Sequence, residues 1–150
     1  MKPVAVLGAT GSIGRQTLEV ATELGAEIAA LAARRGSDEL WDMAVAHPAA
    51  RVAVAAPTPA ERSRFSELGA RVGFGDEFVA ALVAEPGTVV VNAVVGAAGL
   101  RASVAALQAG NRLALANKES LVAGGPIVAE LVRRGGEILP VDSEHSALFQ

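Results

Sequence analysis

Short apolar runs alternate along this chain with segments of helical period, and Gly or Pro punctuates most of the changes. A short apolar run without polar alternation is the form of a strand buried on both faces, and the intervening helices are what cover it. The pattern therefore predicts an α/β fold, a doubly wound and mostly parallel sheet with helices on both faces. Strands are expected over residues 3–7, 27–33, 51–56, 70–74, 88–92, 112–116 and 137–141. Helices are expected over 12–24, where Ile13, Leu18, Val20, Ala21 and Leu24 gather on one side, and from a cap at Ser37 and Asp38 through Leu40, Trp41 and Val45 towards Pro48. Others are expected over 59–68, 76–84 and 100–109, and from near Lys118 to Arg134, where Gly124, Gly125 and Pro126 break or restart the period.

Composition sets the outer limits. A chain of 150 residues has the size of one domain and can remove roughly 70% of its unfolded surface from water. Hydrophobic residues make up 51% and charged residues 19%, so a packed core is expected rather than disorder. Aromatic residues are only 3%, so that core is built from Ala, Val and Leu, which suits close packing of helix on sheet. The formal charge is -3 and no basic run exceeds the pairs Arg34-Arg35 and Arg133-Arg134, which argues against a nucleic-acid partner. The apolar stretches stop short of the roughly 20 residues a membrane span needs. Residues 1–7 lack the longer apolar region and cleavage site of a signal peptide, so a cytoplasmic location is expected. With no cysteine, disulfides, thiolate metal sites and a cysteine nucleophile are excluded, and any metal takes oxygen or imidazole ligands.

The first strand runs into Gly8-Ala9-Thr10-Gly11-Ser12-Ile13-Gly14, a glycine-rich turn that opens a helix. Glycine lets the chain turn sharply and lets its backbone approach a pyrophosphate, whose charge is favoured by the N–H groups of a helix N-terminus. Thr10 and Ser12 add hydroxyl donors. The G-x-x-G-x-x-G spacing departs from the usual G-x-G-x-x-G while keeping its mechanical parts, and a plain tight connection is the alternative. Where an NAD site carries an acid for the ribose 2′-hydroxyl, this chain has Ala33-Arg34-Arg35-Gly36-Ser37, with no carboxylate before Asp38. Arginine offers charge-assisted donors to a phosphate, which favours NADP(H) over NAD(H); a solvated loop is the other reading of the pair. A later turn, from Asn92 through Gly96 to Gly99, brings small residues to the same sheet edge, where a nicotinamide ring can approach the backbone.

Two more polar segments follow predicted strands: Asn117-Lys118-Glu119-Ser120 and Asp142-Ser143-Glu144-His145. If residues 142–144 are extended, Asp142 and Glu144 share a face with α-carbons about 6.6–7 Å apart. Such a pair can converge on one hard cation, Mg2+ or Mn2+, or it can be a solvated strand end.

On the glycine turn, on Val95-Gly96-Ala97-Ala98-Gly99-Leu100, on Leu115-Ala116-Asn117-Lys118-Glu119-Ser120-Leu121 and on Pro140-Val141-Asp142-Ser143-Glu144-His145, the chain resembles the 1-deoxy-D-xylulose 5-phosphate reductoisomerases. The resemblance implies a Rossmann-like NADPH-binding domain over residues 1–150, without the catalytic and C-terminal parts of the longer family enzyme. It implies NADPH contacts at Thr10, Gly11, Ser12, Ile13, Asn117 and Glu119, with further cofactor contacts falling on Arg34, Arg35 and Gly36. There the order departs from the Gly-Lys/Arg-Asn pattern usual in the family. Lys118, Ser143 and Glu144 are implied substrate contacts, and Asp142 and Glu144 metal ligands. The implied reaction is a metal-dependent rearrangement of a sugar phosphate followed by hydride delivery from NADPH, on the route to isoprenoids, in an enzyme that is a homodimer at full length. This chain alone is expected to bind NADPH with little or no turnover. A non-catalytic NADP(H)-binding module and another Rossmann carbonyl dehydrogenase are the alternatives.

Overall fold

The computed structural model describes residues 1–116, 122 and 124–141. Seven strands form one sheet: β1 (Val4–Leu7), β2 (Ile28–Ala33), β3 (Arg51–Val54), β4 (Val72–Phe74), β5 (Val89–Asn92), β6 (Arg112–Leu115) and β7 (Ile138–Pro140). Their order is β4-β3-β2-β1-β5-β6-β7, and every pairing is parallel. The connection order reverses between β1 and β5, where Leu7 pairs with both Ala32 and Asn92. In such sheets the crevice beyond the strand carboxyl ends at this reversal is where ligands bind.

Among the described residues six α-helices alternate with the strands: α1 (Ser12–Glu23), α2 (Asp38–Ala46), α3 (Pro59–Phe65), α4 (Asp76–Ala81), α5 (Ala97–Gln108) and α6 (Gly125–Arg133). Strand residues feed two cores by turns. Ala5 and Leu7 pack with Val79, Ala102, Ala106 and Val128 from α4, α5 and α6, while Val6 packs with Leu18, Leu40, Ala44 and Phe65 from α1, α2 and α3. Period-two alternation in β1 thus supplies both faces, which is why its sequence reads as continuously apolar. Phe65, fully buried, meets Trp41 edge to face with centroids 5.3 Å apart. Its burial contributes roughly 1.5–3 kcal/mol.

The expected elements are present where they fall on described residues, with shifted ends. The helix expected over 59–68 stops at Phe65 and tightens into a 3-10 segment, Ser66–Arg71, in which Gly69 takes φ +70° and turns the chain into β4. The helix expected over 76–84 is helical only to Ala81, and α5 starts at Ala97 rather than 100. The period expected from Lys118 restarts at Gly125 with Pro126 in the first turn, where a missing N–H costs no helical bond. No helix among the described residues is long and apolar enough to cross a membrane.

Candidate functional site

The three glycines of the turn after β1 do three different things. Gly8 has φ +82°, and a Cβ there would sit 3.1 Å from the carbonyl carbon and oxygen of Ala93. Gly14 lies against the turn itself: a Cβ would fall 2.2 Å from the Gly8 oxygen and 2.7 Å from Ala9, so α1 packs onto β1 only if this residue has no side chain. Gly11 differs from both. Its φ is -80° and a Cβ would make an ordinary 3.5 Å contact with the Gly8 oxygen, so the fold does not require glycine there. What its bare α-carbon does provide is an open approach to the start of α1. As N-cap it has no side-chain acceptor, leaving the first-turn N–H groups of Ser12, Ile13 and Gly14 without a side-chain cap. Their donors and the positive end of the helix favour an anion.

A cleft of about 250 Å³ opens beside this turn. Gly8, Thr10 and Gly11 form one wall, Ala32, Ala33, Arg34 and Ala55 line it at the ends of β2 and β3, and Asp76, Val79, Ala93, Val94, Val95 and Ala98 complete it. Thr10 and Arg34 are the hydroxyl and the cation on this surface, and Asp76 is its acid. The turn after β5 is held by the buried Asn92, whose amide donates to the Gly99 oxygen and to Ser103 Oγ, both at 2.8 Å, while its Oδ1 accepts from the Val94 N–H at 3.0 Å. One side chain thus ties the loop on the cleft wall to the first turns of α5.

Three ion pairs brace the loop after β2. Arg15 of α1 pairs with Glu39, Arg64 of α3 pairs with Asp38, and Arg35 pairs with Glu61. Glu61 is the most heavily engaged. Its carboxylate accepts from Arg35 Nε and Nη2 at 3.0–3.2 Å, from the Gly36 N–H at 3.0 Å and from the Thr58 N–H at 3.1 Å. The Arg35 guanidinium, then the Gly36 N–H, hold its pKa down to about 2 against a small opposing effect of burial. Gly36 is buried under the same helix: a Cβ there would stand 2.9 Å from the Phe65 ring and 3.0 Å from Glu61 Cβ. Arg34 has no ion pair among the described residues and is exposed on the cleft.

Of the residues singled out from sequence, the structure brings Thr10, Gly11 and Arg34 to one cleft and places Ser12 and Ile13 in the first turn of α1 beside it. Arg35 and Gly36 turn towards α3 instead. Asn117, Lys118, Glu119, Asp142, Ser143 and Glu144 lie outside the described residues. The positions leading to them are described: the Ala116 N–H donates to the Asn92 oxygen at 3.0 Å and the Val141 N–H to the Leu115 oxygen at 3.0 Å, so both chain segments leave the carboxyl edge of the sheet. Glu61 and Asn92 were not legible as site organisers. Thr58-Pro59-Ala60-Glu61 does carry a capping-box signature, which announces the helix start but not the pairing with an arginine far earlier in the chain.

The family description "1-deoxy-D-xylulose 5-phosphate reductoisomerase" matches residues 4–125. The chain belongs to that family. Among reductoisomerase relatives, that of Thermus thermophilus is 47% identical over 158 residues, covering 100% of this chain, and that of Halothermothrix orenii is 44% identical over 154 residues, covering 99%. The chain spans 40% of the length of each. The solved structure of the reductoisomerase from Zymomonas mobilis in complex with NADPH superposes with a TM-score of 0.84 at 38% identity, covering 99% of this chain and 41% of that one. A reductoisomerase in complex with NADPH, fosmidomycin and magnesium gives a TM-score of 0.81 at 35% identity, covering 97% and 37%.

Proposed function

We propose that this chain is the NADPH-binding part of a 1-deoxy-D-xylulose 5-phosphate reductoisomerase, the enzyme that rearranges and reduces 1-deoxy-D-xylulose 5-phosphate to 2-C-methyl-D-erythritol 4-phosphate for isoprenoid synthesis. The observation that carries this reading is the cleft at the β1/β5 reversal. There an uncapped helix N-terminus behind the bare Gly11 faces the same space as Arg34, which has no ion pair among the described residues. The first suits a pyrophosphate, which all dinucleotides share, and the second a ribose 2′-phosphate, which sets NADPH apart from NADH. Relatives of the same fold are known in complex with NADPH.

Within this reading Thr10, Gly11, Ser12 and Ile13 hold the pyrophosphate through backbone and hydroxyl donors, the loop of Arg34, Arg35 and Gly36 lies at the adenosine end, and Asn117 and Glu119 make further cofactor contacts. The bound NADPH supplies the hydride. Asp142 and Glu144 hold the Mg2+ or Mn2+, with Lys118, Ser143 and Glu144 on the substrate. The exits of residues 116 and 141 on the carboxyl edge support that grouping, because all strands are parallel and that edge is the one the cleft opens on. A cytoplasmic location and, at full length, a homodimer go with this reading.

The chain alone is expected to bind NADPH and to turn over little or no sugar phosphate. Titration of nicotinamide fluorescence, alongside a steady-state assay with NADPH, Mg2+ and 1-deoxy-D-xylulose 5-phosphate, checks both halves. Absence of NADPH binding would sink the reading. Binding of NADPH without any metal-dependent affinity for the sugar phosphate would favour a non-catalytic NADP(H) module.

A further inference from the structure

Two adjacent arginines follow β2, and they have different surroundings. Successive residues of an extended chain point to opposite faces. Ala32 packs on the α4–α6 side and Ala33 in the core beneath α1, α2 and α3, and both reach the cleft wall. The regular ladder stops at the end of β2: the consecutive Ala55 and Ala56 N–H groups donate to the consecutive Ala33 and Arg34 oxygens at 2.9 and 2.7 Å. Beyond β2 the chain bends at Arg34 and Arg35, and their contacts separate them: Arg34 lines the cleft, while Arg35 reaches α3, where Glu61 receives it.

Glu61 also takes the Gly36 N–H, so one carboxylate occupies the guanidinium and the backbone donor that a phosphate on this loop would otherwise use. The nearby acids Asp38 and Glu39 are each matched by an arginine from a neighbouring helix. Arg34 is the cation of this loop left without an ion pair among the described residues. We infer that Glu61 is a positioning residue for cofactor selectivity: it holds Arg35 and the Gly36 N–H against α3 and leaves Arg34 as the guanidinium that meets the ribose 2′-phosphate. The inference rests on the NADPH reading above. Glu61 acts on a phosphorylated nucleotide twice in the same sense, by withholding Arg35 and by repelling the phosphate. Glutamine at this position keeps the length and an oxygen for the Thr58 and Gly36 N–H groups, so the cap of α3 survives while the charge is lost.

The test is a pair of fluorescence titrations, one with NADPH and one with NADH, on the unsubstituted chain and on Arg34→Ala, Arg35→Ala, Glu61→Gln and the double variant E61Q/R35A. Thermal unfolding of each confirms that it is folded. Arg34→Ala is expected to raise the Kd for NADPH roughly ten- to hundredfold while moving that for NADH less than about twofold. Arg35→Ala weakens both nucleotides by a similar small factor. Glu61→Gln shifts the preference towards NADPH by about two- to fivefold, and adding Arg35→Ala removes the share of that gain carried by the released Arg35, leaving the share due to the lost repulsion. If Glu61→Gln weakens both nucleotides equally, or if Arg35→Ala alone collapses the NADPH preference as far as Arg34→Ala does, the inference is overturned while the NADPH reading stands. If the unsubstituted chain binds neither nucleotide, the NADPH reading fails and this inference with it.

Discussion

Helices α1, α4 and α5 begin at glycines, and α2 and α3 begin at hydroxyl residues. Gly11, Gly75 and Gly96 offer no side-chain cap, whereas Ser37 accepts from the Leu40 N–H and Thr58 closes a full capping box with Glu61. The division follows the cleft: residues from the starts of α1, α4 and α5 line it, and none from α2 or α3 does. A cap satisfies a helix from within the chain, and an uncapped start leaves the same N–H groups for something else to satisfy. The caps of α2 and α3 stand clear of the cleft and the open starts of α1, α4 and α5 line it, while α6, which begins uncapped at Gly124 away from the cleft, shows that an open start alone does not make a ligand site.

The largest effect should come from the geometry that brings α1 to the cleft. Gly14→Ala forces a methyl to within 2.2 Å of the Gly8 oxygen. It should destabilise the chain by about 3 kcal/mol or more in urea unfolding; a near-neutral result would mean the α1–β1 contact is looser than described. On the capped side, Ser37→Ala should cost about 1 kcal/mol and move the NADPH Kd less than about twofold, because Ser37 serves its own helix. A large loss of affinity would erase the distinction between the two sets of helices. Gly11→Ser sharpens the contrast from the open side. It supplies the missing cap, so stability should hold or rise by a few tenths of a kcal/mol, while NADPH binding weakens measurably as the approach to the N–H groups is obstructed. The smallest effect at neutral pH belongs to the acid behaviour of Glu61. Its folded pKa, about 2, lies below the ordinary 4.5, so its contribution is fully present above pH 4.5 and is lost as pH falls through 2. Glu61→Gln should therefore flatten the stability profile between those values and leave its slope above pH 5 unchanged, as read by thermal unfolding at stepped pH.

Much of this was readable before any coordinates. The valine-rich run ending at Asn92 and the apolar run ending at Leu7 announced buried parallel strands, because neither alternates with polar residues. The glycine turn was legible as a ligand cradle because it stood between a strand and a helix. Its three glycines looked equivalent, though, and only the packing separates Gly14, which the fold demands, from Gly11, which it does not. The paired arginines were legible as a phosphate signal but not as two residues with different partners. Their division depends on Glu61, contributed by another helix, and no local pattern encodes a contact 26 positions apart. Element ends were blurred for a related reason: the period of residues 59–68 continues past the point where Gly69 turns the chain.

The split between Arg34 and Arg35 has a hereditary consequence. Because the two neighbours have different surroundings, deleting a single residue ahead of Arg34 would bring Arg35 to the place beside the cavity and move Arg34 out of it, without altering the composition of the loop. Divergence among such proteins can therefore move the nucleotide-reading charge by an indel as readily as by a substitution, and an alignment that slides this strand by one place will assign the wrong arginine.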